Sequence, residues 1–345
     1  MHITDLPIST HERVVFIEDL PGGLSALIAI HSTARGPGAG GLRMRDYADF
    51  DDALTDVLRL SHGMTLKNAA ADLALGGGKA VIIGNPATQK TPELLEAFGA
   101  AVETLGGAYR TAEDMGMTPD DMAVIARKTD YVAGLPGASG DPSPITARGV
   151  FLSMKVAAKH RFGSEDLTGK RIALQGLGHV GMHLADMLHE AGAKLIVTDV
   201  NEEALDEAVV SFNAKVVGLE EIYTQDVDIF APCALGAVLN EKTIPVLTCK
   251  MVCGAANNLL ATPEDGARLA ARDILYAPDF VANGGGIINA APEILGETHG
   301  PDWLEDKLQA LASNLDAILT QALDTDVPPH EVAEQLVDAK VALAA

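Results

Sequence analysis

Residues 171–181 read RIALQGLGHVG, and this stretch decides the fold of the second half of the chain. The apolar run 171–175 is typical of a buried strand, and a glycine-x-glycine-x-x-glycine motif follows it directly. The segment 180–191 then has a helical pattern, and a second apolar strand at 195–198 ends at Asp199. A strand, a glycine-rich turn, a helix and a second strand that ends in an acid predict a βαβ unit that binds a dinucleotide.

The glycine motif alone is weak evidence, because a glycine-rich turn without a ligand can have the same letters. In this context, glycines let the backbone approach a pyrophosphate at a helix N-terminus, and a carboxylate accepts hydrogen bonds from ribose hydroxyls. Asp199 would repel a 2′-phosphate, and residues 200–203 bring no arginine to bind one. We therefore expect NAD rather than NADP. The predicted cofactor contacts in this unit are Gly176, Gly178, Val180, Gly181 and Asp199.

Further strand-like runs lie at 227–231, 251–253 and 274–277. Apolar strands that alternate with helical segments predict a parallel sheet with helices on both faces. The first half of the chain differs, because helical patterns there are interrupted by short strands. Residues 134–144, GLPGASGDPSP, are rich in Gly, Pro and Ser and are interpreted as a hinge or linker. The sequence thus predicts an α/β protein with two domains.

Three helices are predicted in the first half of the chain. The apolar residues of 51–60 recur at helical spacing, and this helix runs toward Lys67. Thr-Pro pairs at 91–92 and 118–119 each supply an N-cap and a proline in the first turn. The helix that starts at the first of these pairs is expected to end at the glycines 106–107.

Composition excludes several classes of function. The chain has 48 acidic and 25 basic residues, a formal net charge of −23, and a nucleic-acid backbone requires a basic surface instead. The sequence has no run of about 18 apolar residues that could cross a membrane, and no secretory signal pattern at its start. Its cysteines, Cys233, Cys249 and Cys253, have no flanking histidine to complete a metal site. We expect a reduced, cytoplasmic protein that binds no metal, nucleic acid or membrane.

Residues 64–82 read MTLKNAAADLALGGGKAVI and place Lys67 and Lys79 among apolar neighbours. Lone lysines of this kind are more often surface residues at a helix end or in a turn. Here the flanks look buried, the glycines 76–78 would let a substrate approach, and the acidic stretch 111–116 could supply a carboxylate. One lysine could hold a substrate carboxylate as a point charge. The other, buried beside a cation, could release its proton and act as a base. With a nicotinamide cofactor, this pattern favours a dehydrogenase of a small anionic substrate.

Seven segments, spread over essentially the whole chain, occur in a characteristic order and spacing. They are GPGAGGLRM (36–44), GMTLKNAAADLALGGGKAVIIGNP (63–86), TAEDMG (111–116), GDPSPITARGV (140–150), QGLGHVG (175–181), VCGAANN (252–258) and YAPDFVANGGGIIN (276–289). Together they closely resemble the Glu/Leu/Phe/Val amino-acid dehydrogenase family. The resemblance is nearest to the leucine and phenylalanine members.

The resemblance implies reversible, NAD-dependent oxidative deamination of an L-amino acid to a 2-oxo acid and ammonia. It implies that Lys67 binds the substrate α-carboxylate, that Lys79 activates water for attack on the imine, and that Asp114 carries protons to and from the amine. Further implied contacts are those of Gly40 and Asn283 with the substrate, and those of Thr146 and Asn257 with the nicotinamide.

The resemblance also implies how the domains are built. An N-terminal α/β catalytic domain at 1–140 would be completed by the C-terminal helix at about 325–345. A Rossmann NAD-binding domain at 145–320 would be separated from it by a cleft, whose closure would expel water and protect the imine. Members of the family form oligomers from dimers upward, so we expect a homo-oligomer.

Glutamate-specific members of the family hold the side-chain carboxylate with a lysine before the paired glycines and a serine after the Asn-x-Gly-Gly loop. The matching residues here are Ala39 and Ala290, which cannot pair with an anion, and a carboxylate buried without partners is costly. Leucine-specific members carry bulkier aliphatic residues at these positions. The resemblance therefore implies a roomier apolar pocket, bounded also by Met64 and Ile287, for a branched aliphatic or aromatic amino acid.

Two other functions are open at this point. A reductive aminase for an unusual 2-oxo acid would be chemically the same enzyme working in the opposite direction. A sensor that binds NAD and an amino acid without turnover would be expected to lack Lys79 or Asp114, and both residues are present.

Overall fold

The computed structural model describes residues 1–137 and 140–344, and the chain divides into two compact units. The first unit consists of Met1–Gly140, Asn289–Gly300 and Ala339–Ala345, and the second of Asp141–Ile288 and Pro301–Asp338. Positions 138–139 of the predicted linker and position 345 of the predicted C-terminal segment lie outside the described residues. Within the described ranges, no helix has both the length and the apolar character that a bilayer span requires.

In the described part of the first unit, six strands form one sheet in the order β1-β2-β3-β5-β4-β6. The strands are β1 (His2–Asp5), β2 (Arg13–Asp19), β3 (Leu24–Ser32), β4 (Gly38–Arg45), β5 (Gly76–Ile83) and β6 (Tyr109–Glu113). The pairs β1–β2, β2–β3 and β3–β5 are antiparallel, whereas β4 pairs in parallel with both β5 and β6. As a result, β4 lies between the strand that carries Lys79 and the strand that precedes Asp114.

Three predicted helices of the first unit are confirmed. They are α1 (Phe50–Ala70), α2 (Pro92–Glu103) and α3 (Pro119–Ile125). Thr91 and Thr118 cap α2 and α3 with their side chains, and each helix has a proline in its first turn. The prediction that α2 reaches the glycines 106–107 is wrong, because both glycines have positive φ angles, 58° and 84°, and belong to a turn instead.

Helices cover both faces of this sheet. Ile82 of β5 belongs to a buried cluster with Phe98 of α2. Val81 belongs to a second cluster, which includes Val57 of α1. Since successive side chains of a strand point to opposite faces, Lys79 lies on the same face of β5 as Val81, the face covered by α1.

The sheet of the second unit has the order β12-β11-β10-β7-β8-β9, and every neighbouring pair in it is parallel. The strands are β7 (Arg171–Gln175), β8 (Lys194–Thr198), β9 (Lys215–Val216), β10 (Ile229–Pro232), β11 (Met251–Val252) and β12 (Leu275–Tyr276). This confirms the predicted parallel sheet. The sequence did not indicate β9, because both of its residues are exposed and form no apolar run.

α-Helices alternate with these strands and continue to residue 344. They are α4 (Ser143–Phe162), α5 (His179–Glu190), α6 (Glu202–Phe212), α7 (Glu264–Ala271), α8 (Asp279–Ala282), α9 (Gly285–Leu295), α10 (Trp303–Thr325) and α11 (Pro329–Ala344). The order β7-α5-β8 is the βαβ unit predicted from the glycine motif. It places that motif at the carboxyl end of β7, the edge at which parallel sheets bind ligands.

Candidate active site

Lys79 and Asp114 form an ion pair in the first unit. Lys79 lies in β5 with its side chain 8% exposed, and Asp114 directly follows β6 with its side chain 28% exposed. The distance from Lys79 Nζ to Asp114 Oδ2 is 2.7 Å. The fold thus brings a buried amine into contact with a carboxylate of the acidic stretch 111–116.

A second cation, Arg43 of β4, contacts the same carboxylate oxygen. Its Nε donates to Asp114 Oδ2 at 3.2 Å, and its Nη1 donates to Asp56 Oδ2 at 2.9 Å. The hydroxyl of Tyr47 also donates to Asp56 Oδ2, at 2.8 Å. Arg43 was not among the site residues predicted from the sequence. The signal in the sequence was a single charged residue in the otherwise uncharged stretch 38–44.

Asp114 is held in its ionised form by these neighbours. Partial burial raises the pKa of Asp114, but the charges of Lys79 and Arg43, together with a hydrogen bond from Lys79, outweigh that effect and lower the pKa to about 2. Positive charges within a few ångströms favour the charged form of a carboxyl group. Asp114 is therefore a hydrogen-bond acceptor at neutral pH, the state in which it can bind an ammonium group.

The glycines 76–78 before Lys79 serve packing within the protein. Cβ atoms added at residues 76 and 77 would lie 2.0 Å from a carbonyl oxygen of β3 and 2.0 Å from the hydroxyl of Thr65, respectively. A Cβ added at Gly78 would lie 2.7 Å from the ring of Tyr109. The interpretation that these glycines leave room for a substrate is therefore wrong, because protein atoms occupy the space beside each of them.

Gly40 and Gly41 of β4 allow similarly close contacts near the ion pair. A Cβ at Gly40 would lie 1.9 Å from the carbonyl oxygen of Gly78 and 3.0 Å from Met64 Cγ. A Cβ at Gly41 would lie 2.8 Å from the Cβ of Asp114. Asp114 can therefore approach β4 because position 41 carries no side chain.

The other substrate residues predicted in the first unit have different environments. Lys67 lies half-buried in the last turn of α1, and Met64 lies half-buried nearby in the same helix. Ala39 is fully buried in β4, whereas Ala290 is half-buried in α9. Next to Lys67, the buried Asn68 donates its Nδ2 to a carbonyl oxygen of β5 at 2.6 Å. This bond fixes the end of α1 against the strand that carries the second lysine.

In the second unit, the turn between β7 and α5 has the features that a pyrophosphate site requires. Gly176 has a φ of 99°, which favours glycine, and a Cβ at Gly181 would lie 2.1 Å from the carbonyl oxygen of Gly176. A Cβ at Gly178 would meet no described atom within 4 Å, so this position faces open space. α5, with Val180 in its first turn, begins without a capping side chain. Its first N–H groups are therefore available to a phosphate.

Asp199 directly follows β8 and is bonded to the glycine turn. Its Oδ2 accepts from the backbone N–H of Leu177 at 2.5 Å, and its Oδ1 accepts from that of Asn201 at 2.8 Å. Each carboxylate oxygen offers two acceptor sites, so ribose hydroxyls can still bind. The residues of this turn and strand end thus fit a dinucleotide.

Asn283 and Asn257, which the resemblance assigns to different ligands, are directly bonded. Asn283 Nδ2 donates to Asn257 Oδ1 at 2.9 Å and to the carbonyl oxygen of Ala255 at 3.0 Å. The side chain of Asn283 is buried, and its Oδ1 has no hydrogen-bond partner among the described residues. Because an unsatisfied buried acceptor costs free energy, this oxygen fits a donor group on a ligand.

Thr146 and Ile287, the other residues predicted here, are half-buried. Thr146 lies in the first turn of α4, and its hydroxyl donates to the carbonyl oxygen of Pro142 at 2.9 Å. A Cβ at Gly286 would lie 2.8 Å from that hydroxyl oxygen. The start of α4 and the start of α9, which carries Ile287, therefore pack closely together.

Two family models match the chain. The model described as Glu/Leu/Phe/Val dehydrogenase, dimerisation domain, matches residues 11–131. The model described as Glutamate/Leucine/Phenylalanine/Valine dehydrogenase matches residues 137–201 and 198–342. The two models together span most of the chain, in agreement with the resemblance and the fold class predicted from the motifs.

Individual proteins of this family are similar over nearly the full length. The chain is 46% identical over 334 residues to leucine dehydrogenase from Geobacillus stearothermophilus, covering 96% of this chain and 90% of that protein. It is 48% identical over 297 residues to phenylalanine dehydrogenase from Bacillus thermotolerans, covering 84% of this chain and 78% of that protein. The crystal structure of L-tryptophan dehydrogenase from Nostoc punctiforme matches with a TM-score of 0.86 at 41% identity and covers 97% of both chains. The chain therefore belongs to the Glu/Leu/Phe/Val dehydrogenase family of NAD(P)-dependent enzymes that act on the CH–NH2 group of amino acids.

Proposed function

We propose that the protein catalyses the reversible, NAD-dependent oxidative deamination of an apolar L-amino acid to its 2-oxo acid and ammonia. The observation that carries this proposal is the 2.7 Å contact between Lys79 Nζ and Asp114 Oδ2. The reaction needs two groups that exchange protons, one for the substrate amine and one for the attacking water. A buried amine and an ionised carboxylate in direct contact can supply both.

Three side chains of the first unit carry the chemistry. Lys67 holds the α-carboxylate of the substrate as a point charge. Asp114 accepts a proton from the substrate ammonium group, which leaves a neutral amine. After Cα has lost its hydride and the imine has formed, Lys79 in its neutral form takes a proton from the water that adds to Cα. Asp114 returns its proton to the nitrogen of the resulting carbinolamine, the C–N bond breaks to release ammonia, and Asp114 takes the hydroxyl proton as the 2-oxo acid forms.

The second unit would hold the cofactor. The N–H groups at the start of α5 bind the pyrophosphate, and Gly178 leaves the space that the pyrophosphate needs. Asp199 accepts from the adenosine ribose, and Thr146 and Asn257 contact the nicotinamide. When bound, the nicotinamide ring is the hydride acceptor of the reaction. NAD is favoured over NADP because the charge of Asp199 opposes that of a 2′-phosphate.

An apolar substrate is supported by the residues at the pocket positions. Ala39 and Ala290 offer no charge and no hydrogen-bond donor to a side-chain carboxylate, so glutamate would lose its solvation without compensation. Met64 and Ile287 add apolar surface, and Gly40 and Asn283 complete the substrate contacts. The relatives described above are named leucine, phenylalanine and tryptophan dehydrogenases, so both branched aliphatic and aromatic amino acids are included in the proposal.

The protein would act in the cytoplasm as a homo-oligomer. The family model that matches residues 11–131 is described as a dimerisation domain, which supports assembly through the first unit. The partners of the protein are then its own copies, its amino-acid and 2-oxo-acid substrates, and ammonia.

The test is the initial rate of NADH formation with excess NAD, measured across L-Val, L-Leu, L-Ile, L-Met, L-Phe, L-Trp and L-Glu. We expect activity on apolar amino acids and a loss of about 10²–10⁴-fold in Lys79→Ala. Lys128→Ala is the control, because Lys128 also pairs with an acidic residue, Glu96, with 3.2 Å between Nζ and Oε2. This control should keep the wild-type rate.

Two results would contradict the proposal. Activity on glutamate alone would show that the pocket positions have been misassigned. Absence of turnover on the whole panel, in either direction, by a folded protein that still binds NAD would show that the chain is not an amino-acid dehydrogenase of apolar substrates.

A further inference from the structure

Lys79 and Arg43 both contact the same oxygen of the Asp114 carboxylate. Lys79 Nζ lies 2.7 Å and Arg43 Nε lies 3.2 Å from Oδ2. A carboxylate oxygen has two acceptor sites, so these two donors saturate Oδ2. The backbone N–H of Met115, which also acts on this carboxylate, can occupy at most one further site. Oδ1 therefore keeps at least one acceptor site for another donor.

Arg43 is itself fixed by groups outside the ion pair. Its Nη1 donates to Asp56 Oδ2 at 2.9 Å, and the hydroxyl of Tyr47 donates to that same oxygen at 2.8 Å. The side chains of Arg43 and Asp56 are only 16% and 18% exposed. A guanidinium group is planar and rigid, so it can bond two carboxylates at a defined angle, which an ammonium group cannot do. Arg43 thus links Asp114 to Asp56 of α1, so the location of Asp56 helps to fix that of Asp114.

We infer that Arg43 is a positioning residue for the reaction: anchored by Asp56 and Tyr47, it holds Asp114 by Oδ2 and presents Oδ1 to the amino group of the substrate. This inference rests on the proposed function, because it assigns the free oxygen to the amine of an amino acid or to ammonia. It adds a residue that contacts neither the substrate nor the cofactor and acts through Asp114.

The charge of Arg43 has a separate consequence for proton exchange. With Lys79 protonated, the two cations balance the carboxylates of Asp114 and Asp56. When Lys79 releases its proton, Asp114 loses one of its two positive neighbours. Arg43 does not deprotonate in proteins, so it keeps Asp114 ionised during that step. Without Arg43, the network around Asp114 would lose one of its two cations, and the loss of a nearby positive charge favours the protonated form of a lysine.

The inferred pH effect depends on all charged groups packed around the pair. They come from α1, β4, β5 and the segments that follow β4 and β6. They are Arg43, Lys79, Asp114, Asp56, Tyr47 and Arg45, the last of which has its guanidinium carbon 5.3 Å from the centroid of the Tyr47 ring. Burial, followed by the hydrogen bond to Asp56, raises the pKa of Tyr47 far above neutrality. Tyr47 therefore stays neutral, and the charges that act on the pair are those of the arginines and the two aspartates.

The test compares Arg43→Gln, Arg43→Lys and Asp56→Asn with the wild-type enzyme across pH in the oxidative direction. Arg43→Gln should lower kcat at least about tenfold and move the alkaline rise in activity up by about one pH unit. Arg43→Lys keeps the charge, so the rise should stay at the wild-type pH while kcat falls. Asp56→Asn removes a negative charge, so the rise should not move to higher pH.

The reductive direction provides a second readout. If Oδ1 of Asp114 binds the amino group, Arg43→Gln should raise the KM for ammonia about tenfold and leave the KM for the 2-oxo acid within about twofold. Arg35→Gln is the matched control, because Arg35 pairs with Asp72 at 2.9 Å and is similarly buried, at 19% exposure, away from this network. It should match the wild-type enzyme in both directions.

The outcomes separate the two proposals. An inactive wild-type protein would remove both. The inference on Arg43 would also be wrong if the wild type were active and the pH profiles of Arg43→Gln and Asp56→Asn shifted in the same direction. Both variants break the same ion pair, so this result would show that the network only supports folding. Equal increases in the KM values for ammonia and 2-oxo acid would likewise overturn the assignment of Oδ1. Thermal melts of each variant establish that the kinetic differences come from folded protein.

Discussion

Lys79 Nζ and Asp114 Oδ2 lie 2.7 Å apart, although β5 and β6, the strands that position them, are separated in the sheet by β4. The contact is possible because Gly41 of β4 has no side chain to keep Asp114 away. Arg43 of the same strand then contacts the carboxylate as well. The strand between the two paired groups therefore contributes both the space and a second cation.

Loss of the carboxylate charge should abolish most of the activity. We expect Asp114→Asn to lower kcat for oxidative deamination by about 10²–10⁴-fold, because the amide cannot accept a proton from the substrate ammonium group. Initial rates of NADH formation measure this effect. Asp72→Asn, at an exposed aspartate that also pairs with an arginine, is the control. A variant that retains more than half of the wild-type rate would exclude Asp114 from proton transfer.

Two glycines of the nucleotide turn should respond differently to alanine. Gly181→Ala places a Cβ 2.1 Å from the carbonyl oxygen of Gly176, so we expect a loss of about 1–3 kcal/mol in the free energy of unfolding. Gly178→Ala meets open space and should unfold like the wild type, while raising the Kd for NAD because its methyl group occupies the pyrophosphate space. Denaturant melts and NAD titrations test the pair. Equal destabilisation by both substitutions would contradict the structure of the turn.

Asp199 should determine the choice between NAD and NADP. We expect Asp199→Asn to reduce the preference for NAD by about tenfold, because a negative charge opposite the 2′-phosphate is removed. The asparagine oxygen can still accept from the N–H of Leu177, which Asp199 binds at 2.5 Å. The measurement is the ratio of kcat/KM values for the two cofactors. An unchanged ratio would show that another residue reads the ribose.

A cluster of three histidine rings should make the first unit sensitive to acid. The ring of His31 lies 4.9 Å from that of His11 and 4.6 Å from that of His62, centroid to centroid. Burial, and then the two neighbouring histidines, lower the pKa of His31 to about 4. The unfolded chain, with an ordinary pKa near 6.5, binds more protons between these values, so stability should fall as the pH drops from about 6.5 to 4.

His31→Gln should remove part of this acid sensitivity. We expect the loss of unfolding free energy between pH 6.5 and 4 to shrink by about 1–2 kcal/mol, less than the full pKa shift because the ring is only partly buried. Denaturant melts at the two pH values measure it, and His2→Gln, at an exposed histidine, is the control. Identical pH dependence in His31→Gln and the wild type would refute the prediction.

The size of the substrate pocket should depend on Ala290. Ala290→Leu adds a branched side chain at a half-buried position of α9, so we expect kcat/KM for L-Phe and L-Trp to fall at least about tenfold relative to L-Val. The ratio of specificity constants measures the effect. A parallel decrease for all substrates would place this residue outside the pocket.

Much of the fold follows from local patterns in the sequence. The Thr-Pro starts of α2 and α3 and the βαβ unit around Gly176 each depend on residues that are close together in the chain. Alternation and capping act over a few residues, so they can be recognised before the tertiary structure is known. β9 shows the limit, because its exposed residues carry no such pattern.

The role of the glycines before Lys79 could not be determined in the same way. A glycine run has the same letters whether a ligand or the protein itself fills the missing side-chain volume. Only the packed structure shows that the ring of Tyr109 and the hydroxyl of Thr65 occupy the space beside Gly78 and Gly77.

The sequence by itself determined the family, the parallel nucleotide-binding sheet and the two lysines and one aspartate of the proposed chemistry, because these depend on the order and spacing of residue types. Only the tertiary structure decided that Lys79 and Arg43 contact the same oxygen of Asp114 and that Asp56 anchors the arginine. Those contacts join α1, β4, β5 and the end of β6. Electrostatic and hydrogen-bond interactions depend on distances in space, and the pairing of distant strands sets these distances.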